Sequence, residues 1–150
     1  MSESGESASI GVRLVVAYDG SDFAGFQVQP ERRTVQAALE DALFGMTGER
    51  TRMRGAGRTD AGVHALGQVV AFDSAFSNIP ARGWMLGLNQ RLPDDVRVQS
   101  AALCAPGYQP RFDAMGKHYR YLIQQGEARN PLLRKRAWQL GRPTLLDLAA

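Results

Sequence analysis

The order of strand and helix signals along this chain predicts an α+β fold built on one antiparallel sheet. Three observations carry that expectation. Between residues 12 and 103 the signals run strand, helix, strand, strand, helix, strand. With 150 residues, 44% of them hydrophobic and 22% charged, the chain can build a real core and is neither fibrous nor wholly disordered. Between the two middle strands lies a glycine-rich stretch, Gly55 to Gly67, that carries Arg58, Asp60 and His64.

Val12 to Tyr18 is aliphatic and β-branched and stops at Asp19-Gly20, so it reads as a buried first strand. The turn after it runs through Phe23, Gly25, Phe26 and Pro30. Thr34 is placed as an N-cap, and Val35, Ala38, Leu39, Ala42 and Leu43 form one apolar helical face that ends near Gly45. Arg50 to Arg54 alternates Arg-Thr-Arg-Met-Arg, which as a strand puts three guanidiniums on one face. Gln68 to Phe72 is the next short strand. After Pro80, the spacing of Ala81, Trp84, Met85 and Leu88 predicts a second helix, with Gly83 and Gly87 as poor interior residues and Leu92-Pro93 as its stop. Val96 to Leu103 is the fourth strand. This β-α-β-β-α-β order is that of a ferredoxin-like unit, whose helices share one sheet face and leave the other free. RNA-recognition modules stack bases on such a face.

Beyond this unit, Cys104 to Gly116 reads as a connection containing Tyr108, Arg111 and Phe112. Lys117 to Gln124 reads as a strand with Lys117, Tyr119 and Tyr121 on one face and His118 and Arg120 on the other. Asn130-Pro131 marks a turn, Arg136 to Leu140 a further strand, and Thr144 the cap of a last helix. The expected division is a disordered tail over residues 1–9, a ferredoxin-like catalytic unit over 10–104, and a connection with the incomplete start of a second unit over 105–150.

The first nine residues are small, polar and acidic, unlike a signal peptide, and the longest aliphatic run, Leu14 to Ala17, is too short to span a bilayer. Cys104 is the single cysteine, which excludes an internal disulfide and fits a reducing cytoplasm. The net charge of +3 is unevenly spread: residues 1–49 carry three Arg against eight carboxylates, and residues 50–150 carry fifteen cations against seven. Sixteen of the eighteen cations are arginine, which suits bidentate phosphate contact; biased codon usage explains the same count equally well.

Within the glycine-rich stretch, Asp60 has a guanidinium two positions earlier, which keeps a carboxylate ionised and aimed. An aimed carboxylate serves as nucleophile or base; the plainer reading is that it caps a turn or a short helix from Ala61 to His64. The stretch lacks the ending of a P-loop and the spacing of a dinucleotide fingerprint. His64 stands four residues after Asp60, but with only His118 and Cys104 besides, a metal site is short of ligands. Cys104 reads as a small hydrophobe, Tyr119 as either core or functional, and the Arg50, Arg52, Arg54 face as either solvated or RNA-binding.

The run Gly57-Arg-Thr-Asp-Ala-Gly-Val-His64, continued as Gly67-Gln-Val-Val, resembles the active-site signature of the TruA-type tRNA pseudouridine synthases. Tyr18-Asp-Gly-Ser, Gly25-Phe-Gln, Thr34-Val-Gln-Ala, Leu88-Asn, Leu92-Pro-Asp, Arg111-Phe-Asp-Ala and Lys117-His-Tyr-Arg-Tyr121 agree with it in order. The resemblance spans about Leu14 to Pro131. It implies a cofactor-free isomerase that converts uridine to pseudouridine in the anticodon stem-loop of tRNA, at tRNA positions 38 to 40. It also implies a homodimer, no metal and no membrane association. Asp60 would be the nucleophile, Arg58 its partner in extruding the nucleotide, and Tyr119 the ring packed on the flipped base; Arg111, His64 and Gln68 join Tyr119 as candidate substrate-binding residues. Attack at ribose C1′, attack at the base and a glycal route are all compatible with these residues. The family fold is two ferredoxin-like units, of which this chain is expected to hold the first and the beginning of the second. Departures are Gln109-Pro110 where His-Ala is usual and Phe26 where Trp is common. The rival expectation is a non-catalytic RNA-binding module of the same fold, against which the Arg-Thr-Asp loop and the missing RNA-recognition aromatics in Gln68 to Phe72 both speak. A glycine-loop nucleotide enzyme is a third, weaker expectation.

Overall fold

A computed structural model describes residues 8–141. Most of the expected tail and the helix expected after Thr144 lie outside the described residues. Contacts divide the chain into two units, one up to Ala114 and one from Met115, so the connection through residue 114 goes with the first.

The first unit is a four-stranded sheet with helices on one face. Strand β1 (Ile10–Tyr18) pairs antiparallel with β3 (Ala65–Ser74) and with β4 (Val96–Cys104), and β3 carries the two-residue β2 (Arg54–Gly55). The resulting order β2-β3-β1-β4 is the ferredoxin-like arrangement. Alternation along β1 buries Val12, Leu14, Val16 and Tyr18, opposite Phe72 and Val70 of β3 and Val98 and Val96 of β4. Against that face pack α1 (Val35–Thr47), through Val35, Leu39, Ala42 and Leu43, and α2 (Ala81–Asn89), through Trp84 and Leu88. Thr34 caps α1 as expected, accepting from Ala37 N–H at 3.3 Å. The helix does not stop at Gly45. It continues to Gly48, whose φ of 77° and N–H bond to Phe44 O supply the left-handed stop that Gly45 lacks. Gly87 earns its place in α2 by packing, since a Cβ there would sit 2.7 Å from Met46 Sδ of α1.

Two further expectations change. Arg50 to Arg54 is not a strand with a shared guanidinium face. The Glu40 and Gln36 side chains of α1 hold the Met53 peptide, Glu40 accepting from its N–H at 2.9 Å and Gln36 donating to its carbonyl at 2.9 Å. The three arginines diverge accordingly: Arg50 pairs with Asp41, Arg52 approaches Glu40, and Arg54 pairs with Asp73. The second sheet face is also not fully free. Arg54 Nε donates to Tyr108 O at 3.0 Å and Gly107 N–H to Asp73 at 3.0 Å, laying residues 105–108 over one end of it. Burial raises the Asp73 pKa, but the Arg54 hydrogen bond, the Gly107 amide and the Arg54 charge outweigh it and hold the carboxyl below its usual range. Pro110 opens the short helix α3 (Pro110–Asp113), where its missing N–H costs nothing.

The second unit contains a parallel pair, β5 (Leu122–Gln125) and β6 (Ala137–Leu140). Lys117 to Tyr121 is irregular and not part of the strand, because no ladder partner among the described residues meets it. Its expected alternation of faces therefore does not form.

Candidate active site

The Gly55 to Gly67 stretch joins β2 to β3 and is fastened from two directions. On the sheet side, Ala56 N–H donates to Val69 O at 2.8 Å and the Gln68 side-chain amide donates to Gly57 O at 2.6 Å. On the other side, the chain just after β1 holds the tip. Phe26 N–H donates to Thr59 O at 3.0 Å, Gly62 N–H to Phe23 O at 3.3 Å, and the Tyr18 and Thr59 hydroxyls meet at 2.7 Å.

His64 closes the far end. Gly20 N–H donates to its Nδ1 at 2.9 Å, while Asp19 Oδ1 lies 3.2 Å from the same nitrogen. Both contacts converge on the same ring nitrogen and tie it to the turn after β1. Two glycines make the approach feasible. A Cβ on Gly20 would lie 2.6 Å from the Val63 carbonyl carbon, and one on Gly25, whose φ is 99°, would lie 2.9 Å from Thr59 O.

Asp60 sits at the apex. Its carbonyl accepts from Val63 N–H at 3.1 Å, closing a turn that uses the positive φ of Gly62, so the plainer reading of a turn residue holds for its backbone and the helix from Ala61 does not form. Its side chain is exposed, and among the described residues no hydrogen bond or ion pair engages the carboxylate. Arg58 is exposed in the same loop, and no ion pair joins it to Asp60 in this structure. A carboxylate on a held backbone, open to solvent, is available to a substrate.

The other expected site residues divide. Gln68 and His64 belong to the loop's fastening. Arg111 is exposed on α3, and Tyr119, in the second unit, is 60% exposed. Tyr18, Gly20, Phe26 and Thr59 carry no individual signal in the sequence, although the Tyr18-Asp-Gly-Ser, Gly25-Phe-Gln and Gly57-Arg-Thr-Asp segments contain them. Cys104 is half-buried at the end of β4, where burial pushes its thiol pKa up. Among the described residues no group of three or more His, Cys, Asp or Glu could hold a metal, and no helix is long and apolar enough to cross a membrane. A groove of about 500 Å³ lies beside α1, lined by Arg32, Arg33, Asp41 and Arg91 among others. It contains no residue of the glycine-rich loop, and the loop surface is the better candidate because it displays Asp60 and Arg58 on a held backbone.

Fold and loop together define a class: a ferredoxin-like unit that displays a carboxylate on a glycine-framed turn between its two middle strands. The family model for tRNA pseudouridine synthase matches residues 14–113, and the chain belongs to that family. It is 49% identical over 129 residues to tRNA pseudouridine synthase A of Geobacter sulfurreducens, covering 86% of this chain and 52% of the relative. Against the protein of that name from Neisseria gonorrhoeae it is 50% identical over 125 residues, covering 83% and 47%. Against the one from Oceanobacillus iheyensis it is 46% identical over 138 residues, covering 91% and 53%. The chain thus spans about half the length of the curated relatives it matches.

Proposed function

We propose that this chain is the catalytic N-terminal portion of a tRNA pseudouridine synthase acting on uridines of the anticodon arm, with Asp60 as nucleophile. The observation that carries the reading is the exposed, unengaged Asp60 carboxylate on a backbone held from both sides, in a chain of this family. The target nucleotide leaves the RNA stack at a cost of a few kcal/mol, which new stacking and charge contacts offset. Arg58, Arg111 and Tyr119 are the groups assigned to those contacts, Tyr119 stacking on the base and the arginines meeting phosphate. Asp60 attacks C1′ as the N1–C1′ bond breaks and uracil departs with the bonding pair. After the base turns, C5 attacks C1′ and displaces the carboxylate. C5 then loses its proton and N1 gains one, so the product is an isomer of the substrate. No cofactor enters this balance. A cytoplasmic homodimer with tRNA across both subunits completes the reading.

Pseudouridine mapping on tRNA incubated with the chain and with Asp60→Ala tests it. Modification that disappears in the variant is expected; modification that persists overturns the nucleophile assignment, and binding of tRNA without any modified uridine by a full-length chain favours the non-catalytic module.

A further inference from the structure

We propose that the end of β1 and the turn after it form the mould that aims Asp60, with Tyr18, Gly20 and His64 as positioning residues. This deepens the reading of Asp60 as nucleophile and rests on it. The argument is geometric. The direction of a Cα–Cβ bond is fixed once the two peptide planes flanking that Cα are fixed, because only φ and ψ lie between them. The plane before Asp60 is held at Thr59 O by Phe26 N–H. The plane after it is held at Asp60 O by Val63 N–H, and the next amide, Gly62 N–H, is held by Phe23 O. What is left to the carboxylate is rotation about χ1 and χ2.

The long-range anchors of this tip come from residues 18–26. Tyr18 is a rigid post, 4% exposed in the core with its hydroxyl on Thr59. Gly20 lets the Val63 carbonyl settle against its backbone and gives its N–H to His64, which fixes the C-terminal end of the turn. His64 and Gln68 are therefore assigned to holding the loop, where the family resemblance had grouped them with substrate contacts.

The test uses the full chain and the variants Tyr18→Phe and Thr59→Val, singly and together. Tyr18→Phe keeps the buried ring and removes only the hydroxyl. Single-turnover pseudouridine formation on tRNA is expected to fall about tenfold or more in each single variant, since small misplacements of a reacting group carry such losses. The Kd for tRNA is expected to stay within about twofold, and the double variant to be no slower than the slower single, because both remove one bond. An unchanged rate, a rate loss matched by weakened tRNA binding, or multiplying losses overturns the proposal. Amide exchange at Phe26 and Gly62, read against β1 amides, is the arm that needs no turnover: about fivefold faster exchange in Tyr18→Phe is expected from losing one hydrogen bond, and unchanged exchange overturns the proposal. If a full-length protein carrying this chain leaves tRNA unmodified, the catalytic reading falls by itself and the exchange arm still decides the mould.

Discussion

Gly20→Ala puts the fastening of the glycine-rich loop under direct stress. Gly20 is buried at the start of the turn after β1, and a methyl there would lie 2.6 Å from the Val63 carbonyl carbon and 3.2 Å from Val63 N. Both are backbone atoms, so no side chain can swing aside; the 60s loop must retreat from the 20s turn. Overpacking of this kind costs about 1–3 kcal/mol, and separation of Gly20 N–H from His64 removes a hydrogen bond contributing about 1 kcal/mol. A loss of about 2–4 kcal/mol lowers the Tm of a domain near 100 residues by about 10–20 °C. The control is Gly67→Ala at the start of β3, whose new methyl would meet only Val15 Cγ1 at an ordinary 3.5 Å. Thermal unfolding followed by circular dichroism reads both. A Gly20→Ala Tm within about 2 °C of the parent, or equal to that of Gly67→Ala, would refute the reasoning.

Two further outcomes follow from the fold. Gln36→Leu should lower stability by about 2–4 kcal/mol, because it strands the Val28 N–H and the Met53 carbonyl that the Gln36 amide joins at 3.0 and 2.9 Å; a lower urea midpoint at unchanged m is the expected reading, and a loss below about 0.5 kcal/mol counts against it. Asp95 is held below the usual carboxylate range first by its hydrogen bond to Arg33, against the opposing effect of burial. Its contribution is therefore present above the unfolded pKa of about 4 and lost as pH falls through the native value. Asp95→Asn should lower Tm at pH 7 and cease to differ from the parent in strong acid, and since Arg33 is nearly half exposed the effect stays near the about 1 kcal/mol of a surface pair.

The order of elements was legible because each is punctuated locally: Asp19-Gly20 ends β1, Thr34 starts α1, Pro80 precedes α2 and Pro93 precedes β4. The exceptions share a cause. Arg50 to Arg54 alternates like a strand, yet its backbone is satisfied by Gln36 and Glu40, a choice made by packing rather than by periodicity. Lys117 to Tyr121 has strand-like residues without a neighbouring strand to pair with among the described residues. Gly45 looked like a stop because glycine composition is visible in sequence while φ is not. For the site, the glycine-rich loop and Asp60 stood out by composition. The grip of Tyr18, Gly20 and Phe26 on that loop did not, since contacts across some forty residues leave no local pattern.

That separation in sequence also governs when the site comes into being. Tyr18 meets Thr59 across 41 positions and Gly20 meets His64 across 44. Such closures carry a large loop entropy and are made late, after β1 has found β3. The loop that carries Asp60 therefore takes its held shape together with the sheet, and its fastening is expected to report on completed β1–β3 pairing.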